Sequence, residues 1–418
     1  MAQLTDDCFA FGGPMLGVEE AQQLLAERLS PVDGTERLPL MEADGRILAH
    51  DLVAPQSLPP FTNSAVDGYA IGGDDLPSDA EGIFRVAGRL QAGADAGLEV
   101  SRGEAVRIFT GAAMPKGADT VFMQEDVRVA DDGTVALPAG LKPGANVRPA
   151  GEDIVEGERI LAAGHLLRPQ DVALAAALGL TGLEVRRRLK VAVFSTGNEI
   201  VAPGQPRLPS QLYDSNRYML AAMLKRLGCS VSDLGILPDD ADIIAETLRQ
   251  AASGRDLILT SGGVSAGEAD LVRTAVDRIG RLHFWRVAIK PGRPVAMGTI
   301  DGAAFMGLPG NPVASFVTFA HLVRSAVAAL SGALPPAPIA LPVRADFSYK
   351  KKAGRREYVR VHLDRSSEGK ASVRKFRKEG AGMMSSLTQT DGLVELGEDI
   401  DAVRPGDQVR FFPYSSLF

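Results

Sequence analysis

Four segments of this sequence place glycine or proline directly after an apolar run: STGNE at 195–199, SGGVSAGEAD at 261–270, KPGRP at 290–294 and LPGNPVAS at 308–315. Glycine lets the backbone approach an anion closely, and a helix start behind it presents free amides. Ser261, Gly262 and Gly263 precede an expected helix from Asp270. Pro309 and Gly310 precede another, with Asn311 as its cap and Pro312 at the first helical position. A single turn of this kind is usually only a tight turn. Four together point to a phosphate or pyrophosphate ligand, held also by Ser195, Thr196, Gly197, Ser265 and Gly267.

The same segments bring acids: Glu199, Asp239 and Asp270. Carboxylates beside a phosphate repel it unless they turn away or a divalent cation sits between them. A cation is the favoured reading, with Glu199, Asp239 and Asp270 as its ligands and magnesium as the natural candidate. Each acid alone reads more simply as a helix cap. Arg286, Lys290 and Arg293 could carry phosphate or oxyanion charge, although each alone reads as a solvated surface charge. The five histidines are scattered, and there is no Ser-His-Asp, Cys-His or P-loop arrangement. Chemistry here must rest on positioning, metal and electrostatics.

The elements that hold these turns alternate. From Lys190 to Leu330, apolar strands (VAVFST, VSDLGIL, DLILTS, LHFWRVAI, PVAMGTI, AAFMGL) are separated by amphipathic helices, the first capped by Asp214 or Ser215. This pattern predicts right-handed βαβ crossovers and a mostly parallel sheet, whose ligands bind beyond the carboxyl ends of the strands. Upstream, helices are expected over Val18–Leu29 and Pro169–Leu178, and a compact β domain, inserted into its neighbour, over Leu58–Pro149. Leu183–Arg188 reads as a short strand or linker. After a proline-rich linker at Leu334–Pro338 only strands and turns remain, which fits a small β-barrel or sandwich. The fold class is therefore multidomain α/β plus β. The expected division is 15–57 with 150–188 as an elongated linker and dimerisation domain, 58–149 inserted, 189–333 α/β, and 334–418 as the C-terminal β domain.

At 418 residues the chain exceeds the size of a single core. Its 45% hydrophobic and 23% charged residues mark an ordinary globular protein rather than a disordered one. The start lacks the basic residues of a signal peptide, and no apolar run is read as approaching a membrane span, so a cytoplasmic protein without membrane contact is expected. Cys8 and Cys229 make no disulfide framework. A net charge of -7 argues against nucleic acid as a partner. The stretch from Arg344 to Lys378 is nonetheless densely basic. It reads either as a solvated sheet edge or as the wall of an anion-binding cleft.

The stretches FTNSAVDGYA, IFTGAAMPKGADTV, RPAGEDI, STGNEI, SGGVSAGEAD, FWRVAIKPGRP and GLPGNPVAS, in this order, resemble the molybdopterin molybdenumtransferase family, to which the C-terminal E domain of gephyrin also belongs. The resemblance runs nearly end to end. It implies a four-domain homodimer whose α/β domain binds the pterin, its cleft closed by the N-terminal domains of the other subunit. Family functional positions then fall on Asp67, Thr110, Arg148, Asp153, Glu199, Asp239, Asp270, Arg286, Lys290, Pro309 and Pro312, with Arg355 and the Ser385-Ser386 pair near the cleft. Asp67 would act across the dimer. The implied reaction takes adenylylated molybdopterin and molybdate and, with a divalent cation, yields molybdenum cofactor and AMP. It also implies encounters with the adenylyltransferase and with recipient molybdoenzymes. Thr62 stands where the family commonly has Asp, Val66 where it has Met, and Arg286 where Lys is frequent; none of these replaces one of the acids at the functional positions named above. The related adenylyltransferase shares the SGG turn but lacks the flanking β domains. A scaffold that kept the fold and lost the chemistry would not need every acid at the rim.

Overall fold

The computed structural model describes residues 15–94, 97–263, 271–292, 294–335, 338–365 and 371–418. Its centre is a six-stranded sheet in the order Ser230–Leu237, Lys190–Thr196, Leu257–Ser261, Ala303–Leu308, Pro294–Ile300, Gly280–Arg286. The first four strands are parallel to one another. The last two are antiparallel to their neighbours. Asp301-Gly302 joins two of these strands with positive φ at both positions (45° and 89°), the turn that Asp-Gly favours and that matches hairpin twist.

Side-chain alternation along the Lys190–Thr196 strand explains the layering. Val191 and Val193 enter a cluster with residues of the helices Val18–Arg28, Asn216–Arg226 and Pro312–Thr318. Ala192 and Phe194 point the other way, against Ala241–Ala252 and Leu271–Ile279. A strand covered on both faces must be apolar throughout, and this one is buried from Val191 to Thr196. The helix Val18–Arg28 therefore packs on residues some three hundred positions away, where Gln22 Nε2 donates to the His321 carbonyl at 2.7 Å.

The outgoing and returning limbs of the N-terminal half pair with each other. Thr35–Pro39 lies antiparallel to Gly182–Arg186, Leu52–Val53 to Arg159–Leu161, and Asn63–Ser64 to Val147–Arg148. Between them a second six-stranded sheet carries Gly68–Ile71, Gly82–Leu90, Glu104–Ile108 and Thr120–Met123 around its own apolar clusters. The C-terminal strands Leu341–Ala345, Arg356–Arg365, Ala371–Lys375, Gly392–Leu396 and Gln408–Pro413 close on themselves as a small barrel, because Arg356–Arg365 pairs with both Ala371–Lys375 and Gly392–Leu396. The short strand Ile289–Lys290 adds in parallel to Arg356–Glu357 and ties the barrel to the α/β domain.

The helix opened by Pro312 runs 20 residues to Ser331 with a mean hydropathy of 1.6, which corrects the expectation that no apolar run approaches a membrane span. Its apolar character has a different cause. The sheet, the N-terminal helix and the barrel cover it, and 72% of its apolar window is buried. Its middle, Phe319–Val323, is a π-helical turn, and Gly332 ends it in the left-handed region (φ 68°). His321 sits in that turn, stacked on Tyr358 with ring centroids 4.0 Å apart. Burial, helped by the charges of Arg324 and Arg356, pulls its imidazole from an ordinary 6.5 down to about 3.

Between those two values the unfolded chain binds a proton that the folded chain does not, so stability rises with pH across the window. The slope is about 1.4 kcal/mol per pH unit. Urea unfolding should therefore report about 2 kcal/mol less stability at pH 5 than at pH 7 from this side chain. That difference should vanish in a His321→Leu variant; if it persists unchanged, the buried neutral histidine is not its source.

Candidate functional site

A cleft of about 540 Å³ opens between the α/β domain and the barrel. One wall consists of strand-end turns: Gly262-Gly263, Lys290-Pro291-Gly292 and Pro309-Gly310-Asn311. Ser261, behind them and buried, donates to the Pro309 carbonyl at 3.1 Å and meets the Ser315 hydroxyl at 2.9 Å. The Asn216 amide donates to Ser261 Oγ at 2.8 Å and to the Gly310 carbonyl at 2.6 Å. Gly263 lies at φ 65°, and a Cβ there would stand 2.7 Å from Val272 Cγ2 and 2.8 Å from Thr196 Cγ2. Only glycine lets this turn close against the end of the Lys190–Thr196 strand and the helix Leu271–Ile279. Pro312 takes the first helical position as expected. Asn311 occupies the cap position without capping through its side chain, and the Val313 amide behind it donates to the Ala381 carbonyl of the C-terminal domain at 2.9 Å.

The opposite wall is the barrel, and it is charged: Arg355, Arg360, Lys375 and Lys378 face Lys290 across the cleft, with Glu357 and Glu379 the acids in the lining. Lys375 pairs with Glu379. Lys290 Nζ lies 3.0 Å from Glu357 Oε2, and the Tyr349 hydroxyl donates to the same oxygen at 2.8 Å. Burial, together with that carboxylate, raises the Tyr349 phenol well above its ordinary value. Arg355, Arg360 and Lys378 have no carboxylate in ion-pair contact among the described residues. Arg360 is only 9% exposed. Its partners are neutral: Ser386 Oγ at 3.1 Å and the Gly380 carbonyl at 3.2 Å. Burial pulls its guanidinium below the ordinary arginine value, yet an arginine stays charged, and a buried cation without an anion is costly.

The rest of the basic run divides. Lys351 donates to the carbonyls of Gly397 and Ile400 at 2.7 and 2.6 Å. Arg356 pairs with Glu398 at 3.0 Å and Arg374 with Asp364 at 3.1 Å. The cleft-wall expectation thus holds for Arg355, Lys375 and Lys378, whereas Lys351 and Arg356 have internal partners and fit neither expectation.

Beyond Gly263 the rim continues to two acids. Asp239 accepts from the Thr196 hydroxyl at 2.8 Å and the Asn198 amide at 2.9 Å. The Glu199 carboxylate lies over Gly197, its Oε2 2.5 Å from where a Cβ would stand. Ser195 is buried at the strand end. Among the described residues no group of three His, Cys, Asp or Glu side chains is gathered to hold a metal. Asp270, Ser265, Gly267 and Arg293 lie outside the described residues. Arg286 is exposed at the end of the edge strand, its carbonyl accepting from the Leu16 amide at 3.0 Å, and it does not line the cleft. Ser385 is exposed at the start of a short helix; its neighbour Ser386 makes the contact to Arg360.

Asp67, Thr110 and Arg148 stand on the inserted β domain, none of whose residues lines the cleft. There Asp67 Oδ1 accepts from the Thr110 amide at 2.8 Å and its hydroxyl at 2.7 Å. The amide bond, then the hydroxyl, holds the Asp67 carboxyl below its ordinary value. Arg148, exposed, pairs with Asn63 on the strand ladder.

Three family models cover most of the chain: the MoeA N-terminal region (domain I and II) at 16–179, a probable molybdopterin binding domain at 192–329, and the MoeA C-terminal region (domain IV) at 342–414. The molybdopterin molybdenumtransferase of Haemophilus influenzae is 38% identical over 96% of this chain and 100% of its own. The chain belongs to the molybdopterin molybdenumtransferase family. With that family it is a transferase of molybdenum cofactor biosynthesis. Molybdopterin molybdenumtransferase 2 of Mycobacterium tuberculosis is 34% identical over 95% of this chain and 99% of its own. The molybdopterin biosynthesis moeA protein of Pyrococcus horikoshii superposes with a TM-score of 0.82 at 32% identity, covering 96% of this chain and 100% of that one.

In this member of the transferase family, sequence reading passed over Tyr349, Glu357, Arg360 and Glu379. Arg360 carried a usable signal: in REYVRVHL it alternates with Val359 and Val361, which enter the barrel core, and it shares the parity of Tyr358, which enters the α/β core. A charge on the outer face of a strand whose outer neighbour is buried has a task there.

Gly263→Ala should lose about 1 to 3 kcal/mol of stability and weaken inorganic pyrophosphate binding about tenfold, measured by calorimetry. Gly204, also at positive φ (87°) but with nothing within 4 Å of an added Cβ, is the control. Gly204→Ala should lose stability alone; equal binding losses in both variants would reject the turn as a ligand contact.

Proposed function

We propose that this chain transfers molybdenum from molybdate to an adenylylated molybdopterin, releasing AMP in a step that requires a divalent cation. The observation that carries the reading is Arg360, a buried guanidinium with neutral partners, set in a cationic wall across from glycine turns. Such a cleft is built for a ligand with several anionic oxygens. In this reading the backbone at Gly262-Gly263 and Pro309-Gly310 takes the pyrophosphate. Lys290, Arg355 and Arg360 balance the charge of the molybdate and of the oxygens freed when the linkage breaks.

Asp239 and Glu199 flank the turn that follows the central strand, and their hard oxygens suit magnesium, which needs only one or two carboxylates when phosphate oxygens complete its shell. Asp270 is proposed as a further ligand. Bound there, the cation would neutralise charge on the pyrophosphate. The neutral donors from Thr196 and Asn198 orient Asp239 without cancelling its charge.

Asp67, Thr110 and Arg148 enter this reading through a second copy of the chain, since the β domain that bears them contributes nothing to the cleft of its own subunit. The proposed working form is a homodimer with composite sites, acting in the cytoplasm between the adenylyltransferase and recipient molybdoenzymes.

Purified protein given adenylylated molybdopterin should release AMP only when both molybdate and magnesium are present, and Asp239→Ala should lower that rate at least a hundredfold. Release without molybdate would reject the reading. Asp67→Ala and Arg360→Ala, each inactive alone, should recover about a quarter of wild-type activity when unfolded and refolded together, because about half of the dimers are mixed and each mixed dimer keeps one of its two sites intact. No recovery, with mixed dimers verified by mass, would place Asp67 outside the partner's cleft.

A further inference from the structure

We infer that Glu357, from the barrel, is the positioning residue that fixes the Lys290 ammonium for anion binding in the cleft, with the Tyr349 hydroxyl holding Glu357 in turn. This rests on the reading of the cleft as an oxyanion site but not on the identity of the reaction. Glu357 is only 2% exposed, in a cleft lined by five cationic side chains. A carboxylate placed among them opposes anion binding unless it does something else. Its Oε2 receives both Lys290 Nζ at 3.0 Å and the Tyr349 hydroxyl at 2.8 Å. Its Oε1 is buried with no hydrogen-bond partner. A carboxylate used for structure would satisfy both oxygens, because an unpaired buried acceptor costs stability. Here every donor converges on the single oxygen that meets Lys290.

The Lys290 side chain is 46% exposed and flexible by nature, four carbons long with three rotatable donors. Arg355, Arg360, Lys375 and Lys378 share its cleft and repel it toward solvent. One donor anchored on Glu357 at 3.0 Å and a second resting at 3.5 Å from the Tyr349 hydroxyl leave the third for an anion. The anchoring spans a domain boundary, since Ile289–Lys290 pairs in parallel with Arg356–Glu357 of the barrel. The cation therefore comes from one domain and its orienting acid from the other.

A double-mutant cycle tests this. Binding of inorganic pyrophosphate is measured by calorimetry for wild type, Glu357→Gln, Tyr349→Phe, Lys290→Ala and the two doubles that carry Lys290→Ala. Glu357→Gln should weaken binding about tenfold when Lys290 is present and less than twofold when it is absent. Tyr349→Phe keeps the ring against which Lys290 and Lys375 stand at 5.9 and 5.2 Å. It should cause a smaller loss that also disappears in the Lys290→Ala background, and it carries the test alone if Glu357→Gln does not fold. Losses that simply add, no loss, or tighter binding in Glu357→Gln would overturn the inference. Because the readout is anion affinity, absence of AMP release would defeat the proposed reaction and leave this result standing.

Discussion

The barrel strand Arg356–Arg365 is buried on both of its faces from Glu357 to Val361, and the cleft depends on that constraint. Val359 and Val361 fill the barrel. Tyr358 joins the α/β core and stacks on His321. A two-sided strand of this kind has no solvent face on which to place a charge, so Glu357 and Arg360 must be satisfied where they stand or be kept for a ligand. Glu357 is half satisfied by Lys290 and Tyr349, and Arg360 is held by Ser386 and a carbonyl. The α/β domain and the barrel are thus joined at the start of the strand by the apolar packing of Tyr358 and by the ion pair of its neighbour Glu357 with Lys290.

That arrangement separates two kinds of task along one rim. Near the barrel, cations outnumber acids and the backbone approaches through turns that tolerate no Cβ, as at Gly263 and at Gly292, where a Cβ would stand 2.4 Å from Thr318 Oγ1. Farther along, Asp239 and Glu199 place negative charge beyond those turns. A polyanion with a bridging cation fits such a gradient end to end, whereas a uniformly basic groove would hold any anion. The long apolar helix beneath the turns starts at the cleft, where its Ser315 hydroxyl meets Ser261 at 2.9 Å and its Val313 amide reaches the Ala381 carbonyl, so it links the turns to the barrel.

Much of this was legible in the residues. Short apolar runs such as VAVF and LILT, rich in β-branched residues and ended by turn residues, read as strands covered on both faces, and the glycines that follow them mark where the backbone must turn tightly. The mixed character of the sheet was less legible, because a strand's direction is set by the length of its connection, and the two-residue Asp301-Gly302 turn decides it. The helix at 312–331 was misjudged for a related reason: a core helix covered on all sides and a membrane span share one composition.

The sequence by itself determined the inventory: the glycine turns, the acids after the strands, the basic C-terminal run and the membership of a family. It could do so because backbone conformation and hydrophobic period are local properties, written within a few residues of each other. Only the tertiary structure decided which members of that inventory meet. It turned Arg360 and Glu357 into the cleft while Arg356 and Lys351 went to internal partners, brought Ser386 rather than Ser385 to the guanidinium, and left Asp67 on a domain that does not reach its own cleft. Charge neutralisation acts through space, over distances that no spacing along the chain encodes.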